Sequence, residues 1–259
     1  EIDIAVTDLV LLLGKREEAR RYLRRTLEID AAIGCKAHPE YIGVAYGILA
    51  WDAFDRGEYD SARRYFDQDL AHARVSVNQW RLAMTLMHMG ILEGRLGNFT
   101  VAEERLDESM RMHRQIGDVW AIAKILVDRA ALHVACREFD QAARLLDECE
   151  PLVLAADMPD RLAHYRQVRG VLALRCGDVA TAARLLEDAL RAHHAVGHQK
   201  YMDEDLLLVA ELALAVQMPL RALCLLAAHH AYLDRAGLVD YPRLRHLVIS
   251  MHDAARSSI

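Results

Sequence analysis

The sequence is poor in the residues that bend a chain, with 13 Gly and 5 Pro among 259 residues. That scarcity argues against a turn-rich β protein. Positive charge is not in excess: the formal net charge is −6, so there is no dense cationic surface for general binding to a nucleic-acid backbone. The five cysteines, Cys35, Cys136, Cys149, Cys176 and Cys224, are odd in number and form no CxxC pair. They are expected to be reduced thiols acting as small hydrophobes in a cytoplasmic protein. No uninterrupted apolar run is long enough to cross a bilayer, and no segment has a signal-peptide layout. Nucleophile and metalloprotease signatures (GxSxG, HExxH, S-x-x-K) are missing, as are a GxxxxGK[ST] phosphate loop and a helix-turn-helix. The chain is therefore expected to be neither an enzyme nor a cofactor carrier.

What the sequence does contain is helix formers, chiefly Ala, Leu, Arg and Glu, in a chain that is 53% hydrophobic and 27% charged. That balance buries a continuous core and excludes disorder. Helical periodicity begins immediately after Glu1, which is not Met, so the chain is expected to be a fragment of a longer polypeptide. The periodicity itself repeats. A small residue stands at Ala19, Ala62, Ala102, Ala142, Ala182 and Ala222, spaced by 43 and then by 40 residues four times. Five residues before each stands Gly14, Gly57, Gly97, Arg137, Gly177 or Gln217. Seven residues before that comes Thr7, Ala50, Gly90, Ala130, Gly170 or Ala210. Four residues after the aligned Ala comes Leu23, Phe66, Leu106, Leu146, Leu186 or Leu226.

Packing physics explains why sizes recur while chemistry drifts. A helix carrying a small residue where its partner crosses, a turn needing positive φ, and a returning helix with Ala at the crossing form a stacked hairpin. The order of small residue, turn Gly, aromatic, Ala and large apolar residue is fullest in "GILEGRLGNFTVAEERLDESM" (90–110) and "GVLALRCGDVATAARLLEDAL" (170–190). This order resembles the tetratricopeptide repeat, with a period of 40 residues in place of the usual 34. The resemblance implies an all-α, right-handed superhelical solenoid of about six hairpins. Units are expected over about 1–34, 35–78, 79–118, 119–158, 159–198 and 199–238, forming a single domain. A terminal helix is expected over about 240–256, with Asp240 as N-cap, Pro242 in the first turn and Leu244, Leu247, Val248 and Met251 as its apolar stripe. Gly after "AAI", "RQI", "HAV" and "DRA" marks the unit ends.

A narrower resemblance rests on the 40-residue period, the "IGD" boundary and the ending "PLRALCLLAAHHAYLDRAGL". The chain resembles the helical-repeat region of large bacterial signal-transduction ATPase regulators, the MalT-like and LuxR-type group. That resemblance implies an attached upstream ATPase domain and a role in transcription control. It also implies that an effector, peptide or partner protein binds in the concave groove. A free-standing scaffold that assembles other proteins is the alternative.

In such a superhelix the first helix of each hairpin lines the groove. Trp51 follows small Ala50, and Phe54 lies one turn on. Met84 and Met87 occupy the next first helix, and all four are expected at the groove. The segment "RLAHYRQVRGVLALRCG" (161–177) holds four arginines and no acid. Its Arg166 and Arg169, with Arg129 one repeat earlier, either face an anionic ligand or pair internally with Asp128 or with Asp203, Glu204 and Asp205 of the next first helix. Trp80 and Trp120 are expected to seal repeat boundaries. His194 and His198 stand at i,i+4 beside His193, but Gly197 interrupts them and no acid or Cys completes a set, so no metal site is expected. Of His229 and His230, one is expected in the core and one in solvent. The acidic pairs Glu17–Glu18 and Glu103–Glu104 are expected to favour the positive ends of helices.

Overall fold

The computed structural model describes residues 16–32, 39–155, 158–195 and 199–258. Among the described residues it contains twelve α-helices and no strand: α1 (Arg16–Ala32), α2 (Pro39–Asp55), α3 (Tyr59–Val75), α4 (Gln79–Leu96), α5 (Phe99–Ile116), α6 (Val119–Ala135), α7 (Phe139–Ala155), α8 (Pro159–Arg175), α9 (Val179–Ala195), α10 (Gln199–Ala215), α11 (Pro219–Ala236) and α12 (Pro242–Ser257). Five hairpins pair α2 with α3, α4 with α5, α6 with α7, α8 with α9 and α10 with α11. Successive first helices also touch one another, so α2, α4, α6, α8 and α10 form an inner layer and their partners an outer one. This is a solenoid of stacked helical hairpins. None of its helices, among the described residues, is long and apolar enough to cross a membrane.

The size pattern has a direct cause. All six aligned alanines, Ala19 to Ala222, are fully buried. A Cβ placed on Gly90 would lie 2.7 Å from Leu106 Cγ, and one on Gly170 2.9 Å from Leu186 Cγ. Each of these two glycines thus receives the large residue that follows the aligned Ala of its hairpin partner. The turns share one conformation: Gly57, Gly97 and Gly177 have φ of 78°, 88° and 84°, and Arg137 and Gln217 adopt 63° and 58° in the same place. Substituting glycine by arginine or glutamine therefore left the geometry unchanged. Gly117 and Gly237 end α5 and α11 in the left-handed conformation. Gly14, Gly34 and Gly197 lie outside the described residues, as do Thr7, Cys35 and His198.

Several expectations are corrected. Tyr241, not Asp240, is the N-cap residue of α12, with Pro242 in the first turn; the Asp240 carboxylate instead meets His229 Nε2 at 2.9 Å. Cys149 is buried, but Cys136, Cys176 and Cys224 are exposed, because Cys136 and Cys176 are the C-caps of α6 and α8, where those helices reach the surface. Glu17 and Glu18 do open a helix, α1. Glu103 lies beyond the first turn of α5 and binds Arg129. His229 is fully buried and His230 exposed.

The terminal segment does more than cap the last hairpin. The Leu244, Val248 and Met251 stripe of α12 joins one apolar cluster with Leu207 and Leu226 of the last hairpin and with Phe54, Phe66 and Leu92 of the first ones. The Val239 amide donates to the Asp55 carbonyl at 3.0 Å, and the Tyr59 hydroxyl to the Asp240 carbonyl at 3.4 Å. The solenoid curls until its two ends meet.

Candidate functional site

Counting back from each turn residue, positions 13, 9, 6 and 2 places earlier fall on one face of an inner helix, because steps of four, three and four keep to one side of a 3.6-residue turn. On α8 these positions are His164, Val168, Val171 and Arg175, and on α10 they include Glu204, Leu208 and Glu211. With Ala131 and Val134 of α6 and with Tyr241, Leu244 and Leu247 of the terminal segment, they line a cavity of about 550 Å³ on the concave side. Arg175 and Glu211 form an ion pair at its edge.

On α4 the same face carries Arg95, which crosses to the other end of the solenoid. Its guanidinium lies 3.4 Å from Glu204, and the Tyr241 hydroxyl donates to the same carboxylate oxygen at 3.2 Å. Three rings surround it, with centroids at 5.4 Å for Tyr241, 5.8 Å for Trp51 and 5.9 Å for Phe54. Burial is the largest influence and disfavours the charge on Arg95, but Glu204 together with Tyr241, Tyr201 and Asp128 outweighs it and raises its pKa. Burial beside Glu204 pushes the Asp203 carboxyl up.

A smaller cavity of about 40 Å³ separates Arg95, Asp128, His164, Glu204 and Tyr241. Burial resists the charge of Asp128, yet the cations around it, Lys124 at 3.0 Å foremost, help hold its pKa below the usual carboxylate range. His164 is only 6% exposed; its Nε2 faces Asp128 Oδ1 at 4.0 Å. Burial drives its pKa down to about 3 against the pull of that carboxylate, so the ring is neutral. Among the described residues its Nδ1 has no hydrogen-bond partner. Behind it, Asp205 accepts from Gln167 Nε2 at 2.8 Å and meets His193 Nδ1 at 2.7 Å. Tyr201 lies between the rings of His193 and His164, at 4.8 and 5.0 Å.

None of the sequence-predicted groove residues lines the larger cavity. Phe54, Met84 and Met87 are buried in the core, although Met84 stands at the inner phase, 13 places before Gly97. Trp51 is half-buried at the correct inner phase, edge-on to Phe54 and Phe66 and beneath Arg95, so the closed end of the solenoid covers it. Arg129 pairs with Glu103 at 2.7 Å and Arg169 with Asp147 at 2.8 Å. The pairing is internal, but with acids of the preceding outer helices rather than with Asp128, Asp203, Glu204 or Asp205. Their phase, eight residues before the turn, turns them into the seam behind the inner wall. Arg166 is half-buried and lines no cavity described here. Trp80 donates to Asp118 Oδ2 at 2.7 Å across a repeat boundary, and Trp120 carries the Arg161 guanidinium 4.5 Å above its ring. The lining residues themselves were marked by period: His164 and Glu204, Val168 and Leu208, Val171 and Glu211 each stand 40 residues apart at one inner phase.

No family model matches the sequence, and no curated protein does at a significant level. Solved structures do resemble it. BtubC (BKLC) from P. vanneervenii superposes with a TM-score of 0.56 at 17% identity, covering 95% of this chain and 92% of that one. Aspartyl phosphate phosphatase F from Bacillus subtilis gives 0.58 at 12% identity over 90% of this chain and 62% of that one. A Signal Transduction ATPase with Numerous Domains protein with a tetratricopeptide repeat sensor, from Pyrococcus horikoshii, gives 0.59 at 13% identity. It is matched over 98% of this chain and 37% of its own. The chain thus spans less than two thirds of the last two. At these identities the likeness is one of fold, a tetratricopeptide-like solenoid.

Proposed function

We propose that this chain is a non-catalytic recognition module, the sensor of a bacterial transcriptional regulator in the cytoplasm, with an ATPase domain attached upstream. It binds its effector on the concave side, and differential affinity for resting and active states supplies the switch. The observation that carries this reading is the convergence of one repeated inner face on a single chamber of about 550 Å³, within the range of ligand sites. The likeness to a protein with a tetratricopeptide repeat sensor supports it. The charged groups on the inner wall are engaged with one another, Arg175 with Glu211 and Glu204 with Arg95, as suits a binding wall rather than a reacting centre.

The test is thermal melting of the chain against a low-molecular-mass extract of its source cells, beside the Leu244→Trp variant whose larger side chain intrudes on the chamber. A ligand at a hundred times its dissociation constant stabilises the native chain by about 2.7 kcal/mol. A rise in melting temperature in the native chain that is lost in the variant supports the sensor. Stabilisation by the macromolecular fraction alone, insensitive to the variant, replaces it with the scaffold reading.

A further inference from the structure

We propose that the chamber between α8, α10 and α12 takes a small neutral amphipathic molecule, an apolar body bearing a hydrogen-bond donor that meets Nδ1 of His164. The proposal rests on the recognition role above and names the class of its ligand. The position of α12 leaves no room for a helical peptide. A helix is about 10–12 Å across, and α12 already lies against the inner wall where such a helix would sit. The lining is mostly aliphatic, with Val168, Val171, Leu207, Leu208, Leu244 and Leu247, which demands an apolar body.

Charge selects further. Arg175 is neutralised by Glu211 and Glu204 by Arg95, while Arg137 at the mouth is exposed to solvent. A formal charge carried past the mouth, beside the inner wall, would leave water without gaining a counter-ion there. One polar atom remains to be satisfied. His164 lines both the chamber and the smaller cavity. Its Nε2 faces the carboxylate of Asp128, which favours the proton on that nitrogen and leaves a lone pair on Nδ1. Buried acceptors are normally paired, and Nδ1 has no partner among the described residues. Gln167 beside it turns one amide N–H to Asp205 and makes no bond to Nδ1. A ligand hydroxyl or N–H completes the set.

Two fluorescent probes of nearly equal shape test this on the unmodified chain. 2-Naphthol carries a donor; 2-methoxynaphthalene does not. Titration is expected to show saturable one-to-one binding of both, with 2-naphthol tighter by about tenfold, the value of one hydrogen bond to a buried acceptor. His164→Phe is expected to abolish the preference while keeping apolar binding, and Leu244→Trp to abolish both. Equal affinities in the unmodified chain overturn the proposal. So does a preference that survives His164→Phe, or the lack of any saturable binding, which would leave the chamber to water. If the cell extract still stabilises the chain in the Leu244-dependent manner, only the ligand class falls and the sensor role stands. If neither experiment shows binding, both fall.

Discussion

Two residues in the turns carry a conformational cost that their glycine equivalents avoid. Arg137 and Gln217 hold positive φ, a region that disfavours any side chain with a Cβ by about 1–2 kcal/mol. Arg137 is exposed, so Arg137→Gly is expected to stabilise the chain by about 1 kcal/mol in urea unfolding. An unchanged midpoint would mean that its side chain compensates through contacts at the chamber mouth. His164 gives a second prediction at this scale. Its pKa in the folded chain is about 3, below its ordinary value of about 6.5. Between those values the unfolded chain binds a proton that the folded chain does not. The sign follows: stability is complete above about pH 6.5 and falls as pH drops towards 3. Asp128 pulls the ring towards protonation, while Lys124, Arg161 and His193 oppose it. Asp69 runs the other way, its carboxyl pushed up to about 6 by burial, so the histidine must be isolated by difference. From pH 7 to pH 5 the native chain is expected to lose about 2 kcal/mol more than His164→Gln. Equal losses would mean that the folded ring takes the proton after all.

At the scale of elements, the hairpin depends on close approach of two helices. Gly90 stands where a Cβ would meet Leu106 Cγ at 2.7 Å and the Ala102 carbonyl at 3.1 Å. The backbone oxygen cannot move aside as a side chain would. Gly90→Ala is therefore expected to cost about 1–3 kcal/mol by overpacking, despite the better helix propensity of alanine. A gain in stability would show that the α4–α5 crossing tolerates more separation than the contact implies. The same closeness made the hairpins readable in advance, since only small residues satisfy it. α12 illustrates the opposite case. Its stripe of Leu244, Val248 and Met251 was evident as an apolar face, but a stripe does not say what it packs against. It meets both the last hairpin and the first ones.

At the scale of the molecule, closure joins ends that are distant in sequence. Arg95 is its polar centre, held by Glu204 and three aromatic rings. Removing it leaves the Glu204 carboxylate largely buried without its cation, which costs about 3–5 kcal/mol in comparable pairs. Opening to water relieves that cost. Arg95→Ala is expected to raise the radius of gyration in small-angle X-ray scattering while helical circular dichroism is retained. Identical scattering with a lower melting temperature would assign closure to the apolar cluster alone. If the ligand bridges α8 and α12 as proposed, its binding favours the closed form, which is the differential affinity that a sensor requires.

The amino-acid sequence by itself determined the hairpins, their turns and their stacking, because those rest on residue size and φ at positions recurring every 40 residues. It also marked the inner face by the same period, and Trp51 stands at that phase. Arg129 and Arg169 show how narrow the margin is. They stand one residue from the inner positions Asp128 and Val168, and one residue turns a helical side chain by about 100°, from the groove into the seam where Glu103 and Asp147 receive them. Only the tertiary structure decided that the ends meet, that Arg95 reaches Glu204, and that the groove becomes a chamber. Curvature of a solenoid accumulates from small rotations between neighbouring repeats. No local pattern records their sum, so contacts such as Tyr59 with Asp240 leave no trace in sequence and exist only once every hairpin is in place.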